Sequence, residues 1–310
     1  MKGLAARSIM AMLGFVVVQA LAADPATQVQ YLSGKDGFNT VNWNFSLSSG
    51  RGSGVQTTIG VPGQIEMEGF GAYSYNANYA NTGTATYSYN FNVSPDWAGK
   101  RIYIVFEGSG RDTTVFINGQ QAGPTHQGSF YRFTYEITSL VTVGASNALQ
   151  VTVLPNDPVL TGEWGDYWSY WGISRPVYLQ AFPTQFVERV AINARADGTF
   201  AMDTYLNGTG SATSVSAQIQ KLDGTPVGSA FSLPVVSGDT VKTLTTTIPA
   251  PALWNSETPN LYQVAVTLMN GATPVHTITQ KFGFRTIEVR ANDGLYVNGT
   301  LFASLKPCAG

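Results

Sequence analysis

The chain has little cysteine, histidine and charge, and each shortage excludes a class of protein. Its 310 residues include one cysteine, two histidines and only 12% charged residues, about half of the ~25% usual in soluble domains. A single thiol, Cys308, excludes an intrachain disulfide, and Cys308 with His126 and His276 is too small a set for a zinc site. With 17 Lys+Arg against 19 Asp+Glu and no basic cluster, we expect no metal and no nucleic-acid partner.

The motifs that bind nucleotides or activate a nucleophile are missing. Gly-Lys occurs at 34–35 and 99–100, but Asp36 and Arg101 follow where a phosphate-binding loop needs Ser or Thr. No Gly-x-Gly-x-x-Gly follows a strand pattern, and no Gly-x-Ser-x-Gly elbow occurs. The sequence therefore predicts no cofactor.

One long apolar run is present, at the amino terminus. Lys2 and Arg7 precede the apolar stretch 9–21, and Ala20-Leu21-Ala22 is a small-x-small cleavage pattern. The run is short for a bilayer, which needs about 20 residues, and no later stretch approaches that length. We interpret residues 1–22 as a signal peptide and expect a secreted or periplasmic protein without a membrane partner.

Beyond residue 22 the sequence has the alternation of β-strands. Polar and apolar residues alternate over 84–93, 101–106 and 113–117, and Asn118-Gly119 is a hairpin dipeptide. A second set of short strands begins at Phe186, after Pro183 closes the first. The fold class predicted is all-β, with a jelly-roll sandwich over 23–185 and an immunoglobulin-like sandwich over 186–285.

An aromatic stretch around one carboxylate is the most informative part of the chain. Trp164, Trp168 and Trp171 flank Asp166 in a segment that leads into a strand. Aromatic faces pack on the C–H faces of sugars, and a carboxylate accepts hydrogen bonds from neighbouring hydroxyls. Alternatively, the tryptophans fill the core.

A second carboxylate pair, Glu66 and Glu68, is a weaker candidate. Both side chains point to one face if the segment is extended. Glycoside hydrolysis needs two carboxyl groups about 5 Å or 6.5–9.5 Å apart, but two carboxylates on one strand face are more often simply solvated.

The stretch 166–179 resembles the Asp-x-x-x-x-x-Gly-Ile-x-Arg-x-Val-x-Leu signature of glycoside hydrolase family 2, the family of β-galactosidases, β-glucuronidases and β-mannosidases. Residues 97–123 are similar to its sugar-binding domain, and 253–262 to its immunoglobulin-like domain. Residues 282–299 resemble the passage into its catalytic barrel. The four likenesses occur in family order over about residues 60–306.

The resemblance implies a galactose-binding-like jelly roll, an immunoglobulin-like sandwich, and in 286–310 the truncated start of a (β/α)₈ barrel. Both catalytic glutamates of this retaining family lie on that barrel, which takes about 250 residues. We therefore assign no catalytic residue to this chain.

The resemblance also implies that Asp166 holds sugar hydroxyls, with Trp168 as a neighbour in the substrate site. We expect both on an exposed rim together with Trp171. Arg175 is expected to be a partly buried cation that ties the loop to the sheet.

Three functions are consistent with these patterns. The first is the non-catalytic amino-terminal part of a secreted family 2 glycoside hydrolase that acts on terminal β-linked sugars and can oligomerise at full length. The alternative is a free-standing carbohydrate-binding module or adhesin, and the third is a structural β protein without a ligand. If the barrel is missing, residues 286–310 should be disordered, because their strands lack partners.

Overall fold

A computed structural model describes residues 25–71, 83–155 and 171–304 of the chain. These residues form strands, turns and one short 3₁₀ helix, Pro95–Trp97. The all-β class with a jelly-roll sandwich followed by an immunoglobulin-like sandwich is thus confirmed. No helix among the described residues is long and apolar enough to cross a membrane.

The first sandwich packs a four-stranded sheet, in the order β1-β11-β5-β9, on a seven-stranded sheet in the order β3-β2-β4-β10-β6-β7, with β8 beside β6. Its strands are β1 Gln28–Tyr31, β2 Val41–Leu47, β3 Thr57–Val61, β4 Ala85–Asn92, β5 Arg101–Phe106, β6 Asp112–Ile117, β7 Gln120–Gln121, β8 His126–Gln127, β9 Phe133–Glu136, β10 Ser146–Leu154 and β11 Val177–Phe182.

Period-two alternation explains the core of this sandwich. Tyr87 on β4 pairs with Val151 on β10, and Ile104 on β5 pairs with Leu179 on β11. All four are at most 1% exposed, and Trp43 on β2 is fully buried among them. Burying an aliphatic or aromatic side chain contributes about 1.5–3 kcal/mol, so the two inner faces supply most of the stability.

The second sandwich packs a three-stranded sheet, β12-β13-β16, on a four-stranded sheet, β15-β14-β17-β18. Its strands are β12 Phe186–Ala194, β13 Thr199–Asn207, β14 Ser214–Lys221, β15 Phe231–Pro234, β16 Val241–Thr247, β17 Tyr262–Asn270 and β18 Thr273–Phe282. Phe200 lies at its centre, with its ring centroid 5.1 Å from that of Phe282 and 6.5 Å from that of Phe284.

A third small sheet follows, and it corrects one expectation. Three antiparallel strands are formed by β19 Ile287–Arg290, β20 Gly294–Val297 and β21 Thr300–Ser304. The prediction that residues 286–310 are disordered is therefore wrong over 287–304. Across two tight turns β20 pairs with β19 and with β21, so neighbouring segments of the chain supply the strand partners that a barrel was expected to supply.

The two sandwiches meet around a buried histidine. His276 on β18 is fully buried; its Nδ1 accepts the Val187 N–H at 3.0 Å, and its Nε2 lies 2.9 Å from the Thr27 hydroxyl. Because Nδ1 is an acceptor, the ring proton belongs on Nε2. Burial, with a smaller contribution from Lys100, lowers the pKa of His276 to about 4. The neutral ring therefore joins the amino-terminal segment, the linker and the second sandwich.

This histidine should make the junction sensitive to acid. A folded-state pKa below the value of about 6.5 in the unfolded chain means that the stabilisation is complete above pH 6.5 and is lost as the pH falls toward 4. The melting temperature of the wild type should therefore fall more steeply between pH 6.5 and 4 than that of His276→Gln, which keeps a donor and an acceptor without titrating. Parallel melting curves for the two proteins over this range would contradict the assignment.

Candidate functional site

The sequence-predicted site falls in a segment of which the structure describes the residues on either side. Asp166 and Trp168 themselves are outside the described residues, as are Trp164 and Glu163. The structure shows where the segment 156–170 leaves the jelly roll, after β10, and where it returns, before β11. We call the described residues on either side of this segment the loop roots, and the site is described from them.

Two glycines join the roots by backbone hydrogen bonds. Gly110 and Gly172 donate to one another's carbonyls, each at 3.0 Å, and Arg111 N–H donates to Leu154 O at 3.2 Å. The outgoing and returning chains are thus held on one short segment after β5. We call the end of the jelly roll around Gly110 and Gly172 the rim.

Gly172 fits only because it has no side chain. Its φ is +122°, and a Cβ there would lie 3.0 Å from the Tyr87 hydroxyl and 3.1 Å from the Gly63 carbonyl oxygen. The close approach lets Gly63 N–H donate to Ile173 O at 2.7 Å and Ile65 N–H donate to Trp171 O at 3.1 Å. The returning chain is therefore paired on both sides before β11 begins.

Glu66 contributes a buried carboxylate to the same root. It is 4% exposed, and its Oε2 accepts the Trp171 N–H at 3.3 Å. Burial first, and the nearby Glu66 charge to a lesser degree, raise the pKa of the Tyr87 phenol far above its ordinary value, so that the phenol stays protonated. Glu68, by contrast, is exposed, because the segment is a turn and not a strand. Glu66 and Glu68 therefore do not share one strand face.

Trp171 departs from its predicted place. It is 4% exposed and belongs to the jelly-roll core, so the prediction that it lies on an exposed rim is wrong. The residues after it continue this core, since Ile173, Val177 and Leu179 are all fully buried. For Trp171, the core alternative that the sequence left open is the correct one.

Arg175 ties the rim together from the outside. Its Nη1 donates to the Phe130 carbonyl at 2.7 Å, and its Cδ lies against Gly108, where a Cβ would approach it to 2.9 Å. This contact joins the segment before β11 to the bend between β8 and β9, and the predicted tie between loop and sheet stays a prediction. The side chain is exposed and not partly buried, because it crosses the outer surface to reach the 128–132 segment.

That segment places two aromatic residues on the rim that the sequence analysis did not single out. Phe130 is 74% exposed and Tyr131 is 59% exposed. Gly110 packs closely against Ser129 of this segment. A Cβ on Gly110 would lie only 2.0 Å from the Ser129 Oγ. The signal was available: two consecutive aromatics in a strand-like segment cannot both face inward. An exposed ring beside the loop roots is the kind of surface on which a sugar can stack.

His126 lies behind this aromatic pair without a hydrogen bond from its Nε2. Its ring stacks on Phe133 at 3.8 Å and meets Tyr131 edge-on at 4.8 Å. Burial lowers the pKa of His126, so the ring is neutral near pH 7. Within the ranges that the structure describes, no group of three His, Cys, Asp or Glu side chains could hold a metal ion.

Two models of one protein family match the chain. The family model described as "Glycosyl hydrolases family 2, sugar binding domain" matches residues 53–183, and the one described as "Glycosyl hydrolases family 2" matches residues 185–285. The chain belongs to glycosyl hydrolase family 2. The family resemblance that the motifs predicted is thereby confirmed.

The chain spans only part of each curated relative that it matches. A protein described as a putative beta-glucuronidase from Formosa agariphila is 28% identical over 209 residues, which is 64% of this chain and 25% of that protein. A beta-galactosidase from Priestia megaterium is 28% identical over 219 residues, 66% of this chain and 21% of the enzyme. The chain thus spans about a fifth to a quarter of the length of these relatives.

Solved structures share the fold. A putative beta-galactosidase from Bacteroides fragilis superposes with a TM-score of 0.73 at 22% identity, covering 90% of this chain and 44% of that one. A Bifidobacterium dentium beta-glucuronidase gives a TM-score of 0.73 at 21% identity, covering 90% of this chain and 52% of the enzyme. At such identities the likeness establishes the sandwich architecture.

The loop roots can be tested through Gly172. Gly172→Ala should destabilise the protein by about 3 kcal/mol, because the new Cβ adds a steric clash to an unfavourable φ. Gly99→Ala is the matched control: its φ is +74°, but nothing lies within 4 Å of the added Cβ, so only about 1 kcal/mol should be lost. Urea unfolding measures both, and equal losses would show that the root is not tightly packed.

Proposed function

We propose that this chain is the non-catalytic, sugar-binding amino-terminal part of a secreted glycoside hydrolase of family 2 that acts on terminal β-linked sugars. The observation that carries the proposal is the order of its parts. A sandwich that matches the sugar-binding model of the family is followed by a sandwich that matches its second model, and a small three-stranded sheet comes next. The relatives named as β-glucuronidases and β-galactosidases support the substrate class.

The small sheet supports the idea that a larger domain belongs beside it. It begins two residues after the last matched position, and its apolar side chains are uncovered: Val289 is 72% exposed, Phe302 55%, Ile287 54% and Leu301 50%. A three-stranded sheet without its own core needs a partner surface. In our proposal the catalytic barrel covers this face.

The sugar-binding role rests on the rim. Asp166 is proposed to accept hydrogen bonds from sugar hydroxyls, with Trp168 beside it and the exposed Phe130 ring nearby. The glycine pair Gly110 and Gly172 gives this loop a fixed base, which lowers the entropy lost when a ligand binds. In a complete enzyme the rim would form one wall of the sugar pocket.

Secretion is proposed from the leader alone. Residues 1–22 combine a basic start, an apolar run and a small-x-small cleavage pattern. Export would place the protein where polymeric or conjugated sugars are met outside the cytoplasm.

The chain by itself should not hydrolyse glycosides. Assayed with p-nitrophenyl β-glucuronide, β-galactoside and β-mannoside, it should give no turnover above the uncatalysed rate, because the proposal places both catalytic glutamates on the barrel. Turnover that disappears in Glu66→Gln or Glu163→Gln would overturn this expectation and would place the chemistry in the jelly roll.

Asp166→Ala should remove sugar binding while the fold is kept. With one wall of the pocket open, monosaccharide affinity should be millimolar or weaker, about −4 kcal/mol at best, which is within reach of NMR titration. The variant should melt at the wild-type temperature and lose the titration response, and Glu257→Ala, an exposed carboxylate of the second sandwich, should retain it. A variant that unfolds instead would assign Asp166 to structure.

A further inference from the structure

A groove lies at the junction of the two sandwiches and extends along the jelly roll to Arg132, next to the aromatic pair Phe130 and Tyr131. It consists of a cavity of about 340 Å³ on the jelly-roll side and a broader one of about 1230 Å³ along the second sandwich. Both are lined by Glu188 and Asn207, so the two cavities adjoin one another at these residues. Ligand sites occur preferentially at such domain interfaces.

Polar and aromatic contacts hold the junction beside the groove. Arg101 donates to the Asn207 side-chain oxygen across the junction and forms an ion pair of 2.6 Å with Glu136. Its guanidinium also lies 5.3 Å from the centre of the Phe186 ring, which stacks on Phe182 at 4.5 Å. These contacts hold the two sandwiches together without an occupant, so a ligand would not have to order the site.

An irregularity in β12 directs two charged residues into the groove. The pairing of β12 with β13 shifts between Val187 and Arg189, which is a β-bulge at Glu188. Neighbouring strand residues normally face opposite sides, but Glu188 and Arg189 are both exposed. Bulges are known to re-aim side chains near functional sites.

Aromatic rings and hydrogen-bonding side chains both line the groove. On the second sandwich the Arg189 guanidinium lies flat on the Tyr205 ring at 3.5 Å. On the jelly roll the Tyr103 ring faces the cavity, and Arg132 donates to the Gln180 side-chain oxygen at 2.9 Å. Burial, above all, raises the pKa of Tyr103 to about 12, so its hydroxyl is uncharged.

The charges of the lining are balanced. Arg132 and Arg189 are matched by Glu188 and Asp203, and Asp239 is already paired with Lys242 at 2.7 Å. A strongly anionic or cationic ligand would meet as much repulsion as attraction. A purely apolar ligand would have to strip water from these groups without replacing their hydrogen bonds. A neutral molecule rich in hydroxyl groups, with flat apolar faces, satisfies both conditions.

We propose that this junction groove binds an extended, uncharged oligosaccharide chain, separately from the rim that carries Asp166. The inference rests on the proposed carbohydrate function and extends it from a terminal sugar to a polymer. The jelly-roll lining of the groove runs from Phe182 beside the junction to Arg132, two residues from Phe130 on the rim, so one extended chain can occupy the groove and reach the rim. The groove would hold a glycan chain on the protein while the rim meets its free end.

The experiment compares binding by the full chain and four variants. The probes are the β-1,4-linked tetrasaccharides of glucose, mannose and galactose, with the monosaccharides as rim ligands, measured by calorimetry and NMR titration. The groove variants are Glu188→Ala/Arg189→Ala and the milder Glu188→Gln. The controls are Asp166→Ala for the rim and Glu257→Ala/Lys221→Ala, which removes exposed charges of both signs elsewhere on the second sandwich. Melting temperatures confirm that each variant is folded.

The expected result is that at least one tetrasaccharide binds, that the double groove variant weakens it tenfold or more, and that Asp166→Ala leaves it unchanged. Tetrasaccharide binding lost only in Asp166→Ala would overturn the groove while leaving the proposed function intact. If monosaccharides bind and tetrasaccharides bind no more tightly, the groove proposal is likewise overturned and the proposed function stands. Failure of every saccharide to bind would overturn both proposals.

Discussion

The reciprocal backbone hydrogen bonds between Gly110 and Gly172 constrain everything else at the proposed sugar site. They join the chain just before β11 to the segment after β5, and they form only because neither residue carries a Cβ that would meet Ser129 or Tyr87. The next residue of that segment, Arg111, donates to Leu154 O at the end of β10, so the described residues on both sides of 156–170 are held by one segment. Because a rigid scaffold positions a loop through its roots, the place of the site is set by backbone packing and not by the loop's own side chains.

Polar contacts hold both ends of the jelly-roll strands. At the rim, Glu66 is buried against a main-chain amide beside Tyr87, where a buried charge is tolerated only with hydrogen-bond donors. At the junction, Arg101 and His276 join the two sandwiches through specific hydrogen bonds, since the linker between them is only a few residues long. Polar groups with exact partners thus hold the two ends of the jelly roll, while its middle is apolar.

Alternation and turn residues were enough to predict most of the strands, and Asn118 does adopt the positive φ of +50° expected for its hairpin. The pattern could not show which residues would be brought together from distant parts of the chain. The burial of Trp171 and Glu66 depends on the pairing of segments about 105 residues apart. Likewise, a β-bulge such as that at Glu188 has no reliable signature in a single sequence, because the register is set by the partner strand.

The expectation of a disordered end failed for a related reason, and the failure is informative. Strands β19–β21 need no distant partner to satisfy their backbone, because Asn298 takes φ +52° in a tight turn and the Arg290 guanidinium lies 3.6 Å from the Tyr296 ring across the first hairpin. Local geometry can therefore form the sheet, but it cannot bury Val289 or Phe302. A sheet whose strands pair with one another while its apolar side chains stay uncovered is the form expected of an element that gains further stability by contact with another surface.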